Sequence, residues 1–311
     1  MENQNNVTEF VFIGLWCNKQ VELLLFLFFL LCYLTVLMGN FIILLTITCN
    51  HLMQQPMYYL FCHLSLMDVS YTSTVVPRLI RDLAATRRNI SYNDCMTQLF
   101  TAHLLAGVEI FILVSMSFDR YVAILKPLHY VVIMNRQRCD MLIALAWAVG
   151  FGHSIALLLV ILSLPFCGPN QIDHYLCDVR TFFKLVCEDI HVVNILMIAN
   201  SGMVVVLVFF FFVLLVSYII ILYNLRSYSS ARRKKALSTC SSHIMVVALF
   251  FVPCIYIYVL PAGSENKDKE MSVLYTVIAP MLNPLIYILR NMEMKVTMRK
   301  VWSKVIHSEL K

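Results

Sequence analysis

Seven stretches of this sequence are each long enough to cross a membrane as a helix and are nearly free of charge. A bilayer core of about 30 Å requires roughly 20 apolar residues in a helix. The second stretch contains Asp68 and Arg78, the third contains Glu109 with Asp119 and Arg120 near its end, and the others contain no Asp, Glu, Lys or Arg. The seven stretches are residues 23–49, 57–79, 96–125, 141–165, 190–225, 236–261 and 271–289. They predict an all-α membrane protein with a single seven-helix domain.

The composition agrees with lipid as the solvent. Hydrophobic residues make up 60% of the 311 residues and charged residues 14%, with a mean hydropathy of +0.77. Soluble domains are nearer a quarter charged. The net charge of +6 is modest and is not gathered in one phosphate-binding patch, so we expect no nucleic-acid partner.

The distribution of basic residues predicts the orientation. If the N-terminus is outside, 15 of the 24 Lys and Arg residues fall on the cytoplasmic side, in keeping with the positive-inside rule. No basic cluster precedes an apolar core near the N-terminus, so we expect no cleaved signal peptide. The prediction is a multi-pass plasma-membrane protein with an extracellular arm (1–22), a transmembrane bundle (23–290) and a cytoplasmic tail (291–311). In the tail, the apolar residues of 294–305 share one helical face, which predicts an amphipathic helix on the inner leaflet.

Two N-glycosylation triplets lie in segments that this orientation places outside. Asn6 begins the triplet in the arm and Asn89 the triplet in the first outer loop. Such triplets also arise by chance. We expect Asn6 to be modified and leave Asn89 open.

Asp68 and Glu109 lie deep inside apolar windows, where a charged side chain costs about 2.5–3.5 kcal/mol. In one interpretation each is protonated or hydrogen-bonded to a neighbouring helix. In the other they form a shared ion or proton site with Asn40 and Asn283 from the first and last windows. Two adjacent carboxylates do not both stay ionised without a cation. Intramembrane ionisable groups favour the functional interpretation.

The inner end of the third window carries the sequence Asp119-Arg120-Tyr121. Asp119 can hold Arg120 in a resting geometry, and release of the pair would free the guanidinium for a partner. The basic run 232–235 before the sixth window is either a positive-inside signal or a surface for an acidic cytosolic partner or anionic lipid. In the seventh window, Pro284 removes a backbone hydrogen bond and predicts a hinge.

Four cysteines fall on the predicted outer side, which is an oxidising compartment. Cys95 begins the third window, and Cys167, Cys177 and Cys187 lie in the loop between the fourth and fifth. Four cysteines allow three pairings, and the residues alone do not choose among them. We expect Cys17 to be free.

With these motifs in view, the chain resembles the rhodopsin-class G-protein-coupled receptors and, more narrowly, the class II vertebrate olfactory receptors. The resemblance covers nearly the whole length. The matching motifs are Gly39-Asn40, Pro56 to Tyr59, Leu64 to Asp68, Asp119 to Tyr121, Ser217-Tyr218, Lys235 to Cys240 and Pro280 to Tyr287.

This resemblance implies several roles. The implied disulfides are Cys95–Cys177 and Cys167–Cys187, and the implied ion or water site contains Asp68 and Glu109. The implied partner is a stimulatory olfactory-type heterotrimeric G protein that raises cAMP. The positions implied to contact it are Asp119, Arg120, Tyr121, Tyr218 and Lys235.

The chain departs from the family pattern beside the Asp-Arg-Tyr motif. The family usually has Ala, Tyr and Cys where this chain has Ser117, Phe118 and Leu125. In the sixth helix the family often has Phe-Tyr-Gly, whereas this chain has Phe250-Phe251-Val252, followed by Pro253. These changes remove hydroxyl and thiol groups, and they put the efficiency of coupling in question.

Helical spacing predicts a ligand site in the outer half of the bundle, since residues at i, i+3, i+4 and i+7 share a face. The same faces would also suit a packed helix seam. The family resemblance places them around an odorant cavity. The predicted residues are His103, Ala106, Gly107 and Ile110; Ala199, Gly202, Met203 and Val206; and Phe251, Cys254, Ile255 and Tyr258.

The polar points of this site are His103 and Tyr258. No acid lies between Met96 and Val108, so the expected ligand is a small neutral odorant with one carbonyl or hydroxyl group. An enzyme is not expected. The last window has no Lys for a retinal Schiff base, no His begins a zinc-protease HExxH motif, and no cofactor or metal is implied. The odd helix count argues against a transporter built from repeats, and a silent seven-helix membrane protein is the remaining alternative.

Overall fold

The computed structural model describes residues 7–15, 19–85, 87–164, 166, 170–182, 185, 208–259, 265–290 and 292–309. These residues form eleven helices and a small sheet. The helices are α1 (Lys19–Thr48), α2 (Pro56–Ala84), α3 (Tyr92–Leu125), α4 (Tyr130–Ile133), α5 (Arg136–Leu162), α6 (Val179–Phe182), α7 (Val208–Asn224), α8 (Ser230–Val259), α9 (Glu265–Val273), α10 (Ala279–Arg290) and α11 (Met292–Glu309).

Seven helical rods follow the seven predicted windows in chain order. They are α1, α2, α3, α5, α7, α8 and a last rod made of α9, a π-helical segment at Leu274–Ile278 and α10. Five of the seven are each long and apolar enough to cross a membrane. Of the other two, α2 carries several charges along its 29 residues, and the described part of the fifth window is the shorter apolar helix α7. The seven-helix bundle and the helix in the tail are confirmed.

Local sequence signals explain where several helices begin. Pro56 occupies the first position of α2, where a missing N–H costs nothing. Ser91 caps α3 by accepting a hydrogen bond from the Asp94 backbone N–H at 3.1 Å, and Asn135 caps α5 by accepting one from the Arg138 N–H at 2.9 Å. Proline lies inside α8 at Pro253 and inside α10 at Pro284, which deletes one backbone hydrogen bond from each.

A three-stranded sheet covers one end of the bundle, which we call the sheet end. Its strands are β1 (Glu9–Phe12), β2 (Asn89–Ser91) and β3 (Gln171–Ile172) in the order β2-β1-β3. β1 pairs antiparallel with β2 and parallel with β3. The predicted arm therefore contributes the central strand, which the sequence reasoning did not anticipate.

β1 is held by side chains on one face of the strand. Phe10 and Phe12 are both buried, in a cluster with Leu99 of α3 and Cys177 of the following loop, whereas Glu9 is exposed. The alternation of buried and more exposed residues in β1 covers only four positions and follows a polar segment, so the sequence pattern did not indicate a strand. The sheet thus joins the N-terminal segment to the segment between α2 and α3 and to the loop that follows α5.

Candidate functional site

A cavity opens between α2, α3, α8 and the last rod, on the side nearest the sheet end. About 30 Å³ of it is open to the centre of a water-sized sphere. Pockets for small ligands fall at about 300–1,000 Å³, so a small ligand would have to displace the lining side chains. Its lining is Tyr71 of α2, Ala102, His103, Ala106 and Ile110 of α3, Leu176 and Asp178 of the loop between β3 and α6, Phe250 and Cys254 of α8, and Tyr275 of the π-helical segment.

Four of the predicted ligand residues line this cavity. They are His103, Ala106 and Ile110 from α3 and Cys254 from α8. The α3 positions follow the i, i+3, i+7 spacing on which the prediction relied. Three of the four predicted α3 positions therefore lie on the helix face that borders the cavity.

Three predicted positions are not among the residues that line this cavity, and their part in a ligand site stays a prediction. Gly107 faces α5 instead, since a Cβ there would lie 3.3 Å from the Cα of Gly150. Phe251 is fully buried and stacks on Phe211 of α7 with ring centroids 5.8 Å apart. Ile255 packs against the central hydrophobic core. The α8 residues at the cavity are Phe250 and Cys254, of which only Cys254 was predicted.

The rest of the predicted site lies outside the described residues. This applies to Ala199, Gly202, Met203 and Val206 and to the side chain of Tyr258. Their part in a ligand site stays a prediction.

Sequence reasoning missed six lining residues, and Asp178 is the most consequential. The acid count covered only the outer half of the third window, whereas Asp178 reaches the cavity from a loop. A signal was available, because Asp178 directly follows Cys177, which the implied disulfide ties to the start of α3. The other missed residues are Tyr71, Ala102, Leu176, Phe250 and Tyr275.

His103 and Asp178 face each other at the cavity. The Nδ1 atom of His103 lies 3.0 Å from the backbone oxygen of Leu99, and its Nε2 atom lies 3.7 Å from Oδ1 of Asp178. The same Oδ1 atom accepts a hydrogen bond of 2.6 Å from the Val179 backbone N–H. Both side chains are almost completely buried. The polar edge of the cavity is therefore positioned by backbone contacts on two different elements.

The loop that carries Asp178 is tied to α3. A disulfide joins Cys95 to Cys177 with Cα atoms 5.6 Å apart, as the resemblance implied. Beside it, the side-chain oxygen of Gln98 accepts a hydrogen bond of 3.0 Å from the Cys177 N–H. Cys167 and Cys187, the other implied pair, lie outside the described residues.

The same loop is tied to the last rod by polar contacts. Asp173 forms an ion pair with Lys269, and Arg180 lies 3.4 Å from Asp268. Closer to the cavity, the Tyr175 hydroxyl lies 3.0 Å from that of Thr276. We call the two ion pairs the loop latch.

His174 belongs to this loop and is buried. Burial lowers the pKa of His174 to about 4, with Lys269 and Arg180 acting in the same direction and Asp178 and Asp173 opposing them. The neutral ring also accepts a hydrogen bond at Nδ1 from the Leu176 N–H, at 3.3 Å. A proton on that nitrogen would break the contact.

The predicted intramembrane site is partly assembled. The amide nitrogen of Asn283 donates to both carboxylate oxygens of Asp68, at 3.0 and 3.1 Å, and both residues are buried. Glu109 is also buried and is close enough to Asp68 to interact electrostatically. Asn40 instead donates within its own helix to the Val36 oxygen at 3.0 Å.

Three buried oxygens in this region suit a water or a small cation. The side-chain oxygens of Asn40, Ser65 and Asn283 have no hydrogen-bond partner among the described residues. A buried acceptor without a partner costs about 1–3 kcal/mol. Carboxylate and amide oxygens are the donor type that hard cations prefer.

At the opposite end of the bundle, Arg120 bonds to its neighbour as expected. Its Nε donates to Oδ2 of Asp119 at 2.9 Å, and Asp119 is completely buried. Tyr130 of α4 donates to the other carboxylate oxygen at 2.7 Å. The short helix α4 thus helps to hold the Asp119–Arg120 pair.

A second contact joins α7 to α8 at this end. The hydroxyl of Tyr218 is hydrogen-bonded to Nδ1 of His243, and both side chains are buried. Tyr121 packs against the cluster that contains Tyr218. Tyr218 was expected at the G-protein contact and lies inside the bundle in this conformation. The side chain of Lys235 lies outside the described residues.

Comparison with known proteins decides the family. A family model described as "Olfactory receptor" matches residues 29–305. Olfactory receptor 4B13 of Mus musculus is 48% identical over 304 residues, which are 98% of this chain and 99% of that protein. Olfactory receptor 4S2 of Homo sapiens is 47% identical over 311 residues, 100% of this chain and 99% of that protein. This chain belongs to the olfactory receptor family. It is a multi-pass membrane receptor for odorants and not an enzyme.

The departures from the family pattern fall in different environments in this olfactory receptor. Phe118 is 47% exposed on the outside of the bundle, so the missing hydroxyl leaves no buried partner unsatisfied. Ser117 is buried. Leu125 is partly buried at the end of α3.

The two predicted glycosylation sites differ in what the structure says of them. Asn6 lies outside the described residues of the receptor. Asn89 lies in β2, where its side-chain nitrogen donates to Oε2 of Glu9 at 3.1 Å. Modification of either site stays a prediction.

Proposed function

We propose that this receptor binds a small, neutral, largely apolar odorant in the cavity beside His103 and activates a stimulatory olfactory-type G protein, which raises cAMP. We further propose that it does so in the plasma membrane with the N-terminus and the sheet end outside. The mainly apolar lining supports an apolar ligand, which would have to push the lining side chains apart because the cavity is small. Family membership supports the receptor function in general terms.

The observation that carries the proposal is that the cavity touches α8 next to its proline. Cys254 directly follows Pro253, and Phe250 precedes it by one helical turn. An odorant in the cavity therefore contacts the segment where α8 lacks a backbone hydrogen bond. If it binds better to an arrangement with α8 swung outward, binding shifts the population toward that arrangement.

The other end of the bundle offers contacts that such a movement would break. The Tyr218–His243 bond joins α7 to α8, and Tyr130 holds Asp119 beside Arg120. Movement of α8 would separate the first pair and open a path to Arg120. The freed guanidinium presents five donors to a G protein, and the basic run 232–235 would attract its acidic surface.

We propose a cation or water site at Asp68, Glu109, Asn40 and Asn283. The buried carboxylates and the unpartnered amide oxygens support it. The site and the cavity share the helices α2 and α3. If the ion binds more tightly to one arrangement of α10 than to another, ion binding favours that arrangement of the receptor.

The orientation has a direct test. Epitope tags at the two termini of the receptor should differ in antibody labelling. On intact cells the antibody should label the N-terminal tag, and it should label the C-terminal tag only after permeabilisation. The excess of Lys and Arg on the inner segments is the physical reason. Labelling of the C-terminal tag on intact cells would reverse the assignment.

The function is tested by an odorant screen with a cAMP reporter in cells whose surface expression is measured. At least one small odorant should raise cAMP through the wild-type receptor. Arg120→Ala should abolish the response without loss of ligand binding. Arg138→Ala, which alters an exposed arginine of α5, is the matched control and should respond normally. A full response from Arg120→Ala would remove Arg120 from the coupling mechanism.

A further inference from the structure

The end of α8 near the loop latch has a backbone oxygen that its own helix does not satisfy. The last four carbonyl oxygens of a helix have no partner within it, and α8 ends at Val259. Ile257 lies in that last turn, and the residue four positions later is Pro261, which has no N–H to donate. Ile257 is also buried, which keeps water away from its oxygen. The oxygen therefore needs a donor from another element.

Arg180 of α6 supplies that donor. Its Nη1 atom donates a hydrogen bond to the backbone oxygen of Ile257, and its Nη2 atom lies 3.4 Å from the carboxylate of Asp268 on α9. A guanidinium carries five donors in a planar fork, so one side chain can make both contacts. A positive charge is also favourable at the C-terminal end of a helix. Arg180 thus joins α6 to α8 and to α9.

The other side of this link is fixed to α3. Arg180 lies three residues after Cys177, which the disulfide joins to Cys95 at the start of α3. Phe182, in the same short helix as Arg180, is completely buried in the cluster that contains Leu99 of α3. Arg180 therefore ties the end of α8 to α3.

The tie lies on one side of the break in α8. Ile257 follows Pro253 by about one helical turn, and the lining residues Phe250 and Cys254 lie on the two sides of Pro253. An odorant that displaces both lining residues would move both segments of a helix that nothing holds. With Ile257 held, the displacement passes to the segment before Pro253, which contains His243.

We propose that Arg180 is a positioning residue for activation, which holds the end of α8 at the Ile257 oxygen so that an odorant moves the segment of α8 before Pro253. This inference rests on the proposed function, in which the odorant acts on α8 from the cavity. Arg180 is not among the described residues that line the cavity, so it acts through α8 and not on the ligand.

The variant that tests the tie is Arg180→Met. It keeps the apolar part of the side chain and removes all five donors. Arg87→Met makes the same change at an exposed arginine between α2 and β2 and is the matched control. The ligand is the most potent compound from the odorant screen, with small neutral alcohols, aldehydes and ketones as the compounds screened.

The first measurement is G-protein recruitment by energy transfer, per receptor at the surface and at saturating odorant. Arg180→Met should lower this maximum about threefold or more, because loss of a hydrogen bond to a charged group shifts an equilibrium by about tenfold or more. Odorant binding, measured by thermal stabilisation of the purified receptor, should change little. A purely structural role would lower surface expression and leave the maximum per receptor unchanged. Arg87→Met should match the wild type in all three quantities.

The second measurement is hydrogen exchange of the purified receptor without odorant. In Arg180→Met the amides of residues 254–259 should exchange faster than in the wild type, because the end of α8 is no longer held. This measurement needs neither an odorant nor a G protein.

Two further variants separate the two contacts of Arg180. Asp268→Asn removes the ion pair and leaves the contact with Ile257, so it should keep most of the maximal recruitment. Arg180→Lys keeps a charged donor and should recover most of what Arg180→Met loses. A loss in Asp268→Asn as large as that in Arg180→Met would assign the effect to the ion pair and overturn the inference.

The outcomes separate the inference from the proposed function. Unchanged maximal recruitment in Arg180→Met overturns the positioning role, and unchanged exchange at residues 254–259 overturns the hold on α8. If the wild type recruits no G protein with any odorant, the proposed function fails. Hydrogen exchange then decides alone whether Arg180 holds α8, with faster exchange supporting the hold and equal exchange overturning it.

Discussion

At the scale of single residues, Gly107 and Gly150 allow α3 and α5 to approach closely. A Cβ on Gly150 would lie 3.1 Å from both the Leu104 backbone oxygen and a methyl of Val108. Small residues at such crossings are how membrane helices pack without a hydrophobic driving force. Because α3 carries His103, this crossing also sets the position of the cavity wall.

Gly150→Ala should therefore destabilise the receptor. Overpacking a tight contact costs about 1–3 kcal/mol, so we expect a lower apparent melting temperature in detergent and less receptor at the surface. Gly152→Ala is the matched control, since nothing lies within 4 Å of a Cβ at that position. Equal melting temperatures for the two variants would contradict the tight crossing.

The residue scale also shows a limit of reasoning from sequence. Helical spacing placed His103, Ala106 and Ile110 on one face of α3, and all three line the cavity. On α8 it predicted Cys254 and missed Phe250, which precedes Cys254 by one turn. It missed Asp178 because a loop residue follows no period. The position of Asp178 is set by the Cys95–Cys177 disulfide and by the loop latch.

At the scale of elements, the loop between β3 and α6 forms part of the cavity wall. It contributes Leu176 and Asp178 to the lining, and it is joined to α3 by the disulfide and to α9 by the loop latch. A loop this strongly anchored holds its polar groups as firmly as a helix would. Two measurements test that anchoring.

The first is a charge exchange across Asp173 and Lys269. Asp173→Lys and Lys269→Asp each place like charges together, so each should lower the melting temperature and the odorant potency. The double exchange should recover part of both, with a coupling energy of about 1–3 kcal/mol. Additive losses in the double variant would show that the two side chains do not stabilise the loop through each other.

The second is the pH dependence from His174. Its pKa falls from 6.5 to about 4 on folding, so between these values the unfolded chain holds a proton that the folded loop does not. The stabilisation is full above about pH 6.5 and is lost as the pH falls toward 4. Lowering the pH from 7 to 5 should cost about 2 kcal/mol.

The matched variant for that measurement is His174→Asn. Its side-chain oxygen can accept the Leu176 N–H and does not titrate, so melting temperature should depend less on pH between 7 and 5 than in the wild type. The same pH dependence in both proteins would remove His174 as its source.

At the scale of the whole molecule, the number and order of the seven helices followed from the spacing of charge in the sequence. The long apolar windows predicted the number and order of the helices because the thickness of the bilayer core sets the length of a helix that crosses it. The small sheet could not be predicted from the sequence, since β1 has four residues and β3 only two. Strands that short are selected by tertiary contacts, here Phe10 and Phe12 against α3, rather than by their own pattern.

The whole molecule links a cavity near the sheet end to Arg120 near the other end through α3 and α8. The central claim is that an odorant occupies this cavity and acts on α8 from there. Filling the cavity without changing its polar edge is the direct test. Ala106→Leu adds three carbons to the lining, and Ala148→Leu adds them to an exposed position on α5.

The deciding measurement is the cAMP concentration–response curve of an agonist from the screen, for these two variants and the wild type at equal surface expression. The account predicts that Ala106→Leu raises the half-maximal concentration about tenfold or more, whereas Ala148→Leu leaves it unchanged. Superimposable curves for Ala106→Leu and the wild type would contradict odorant binding in this cavity.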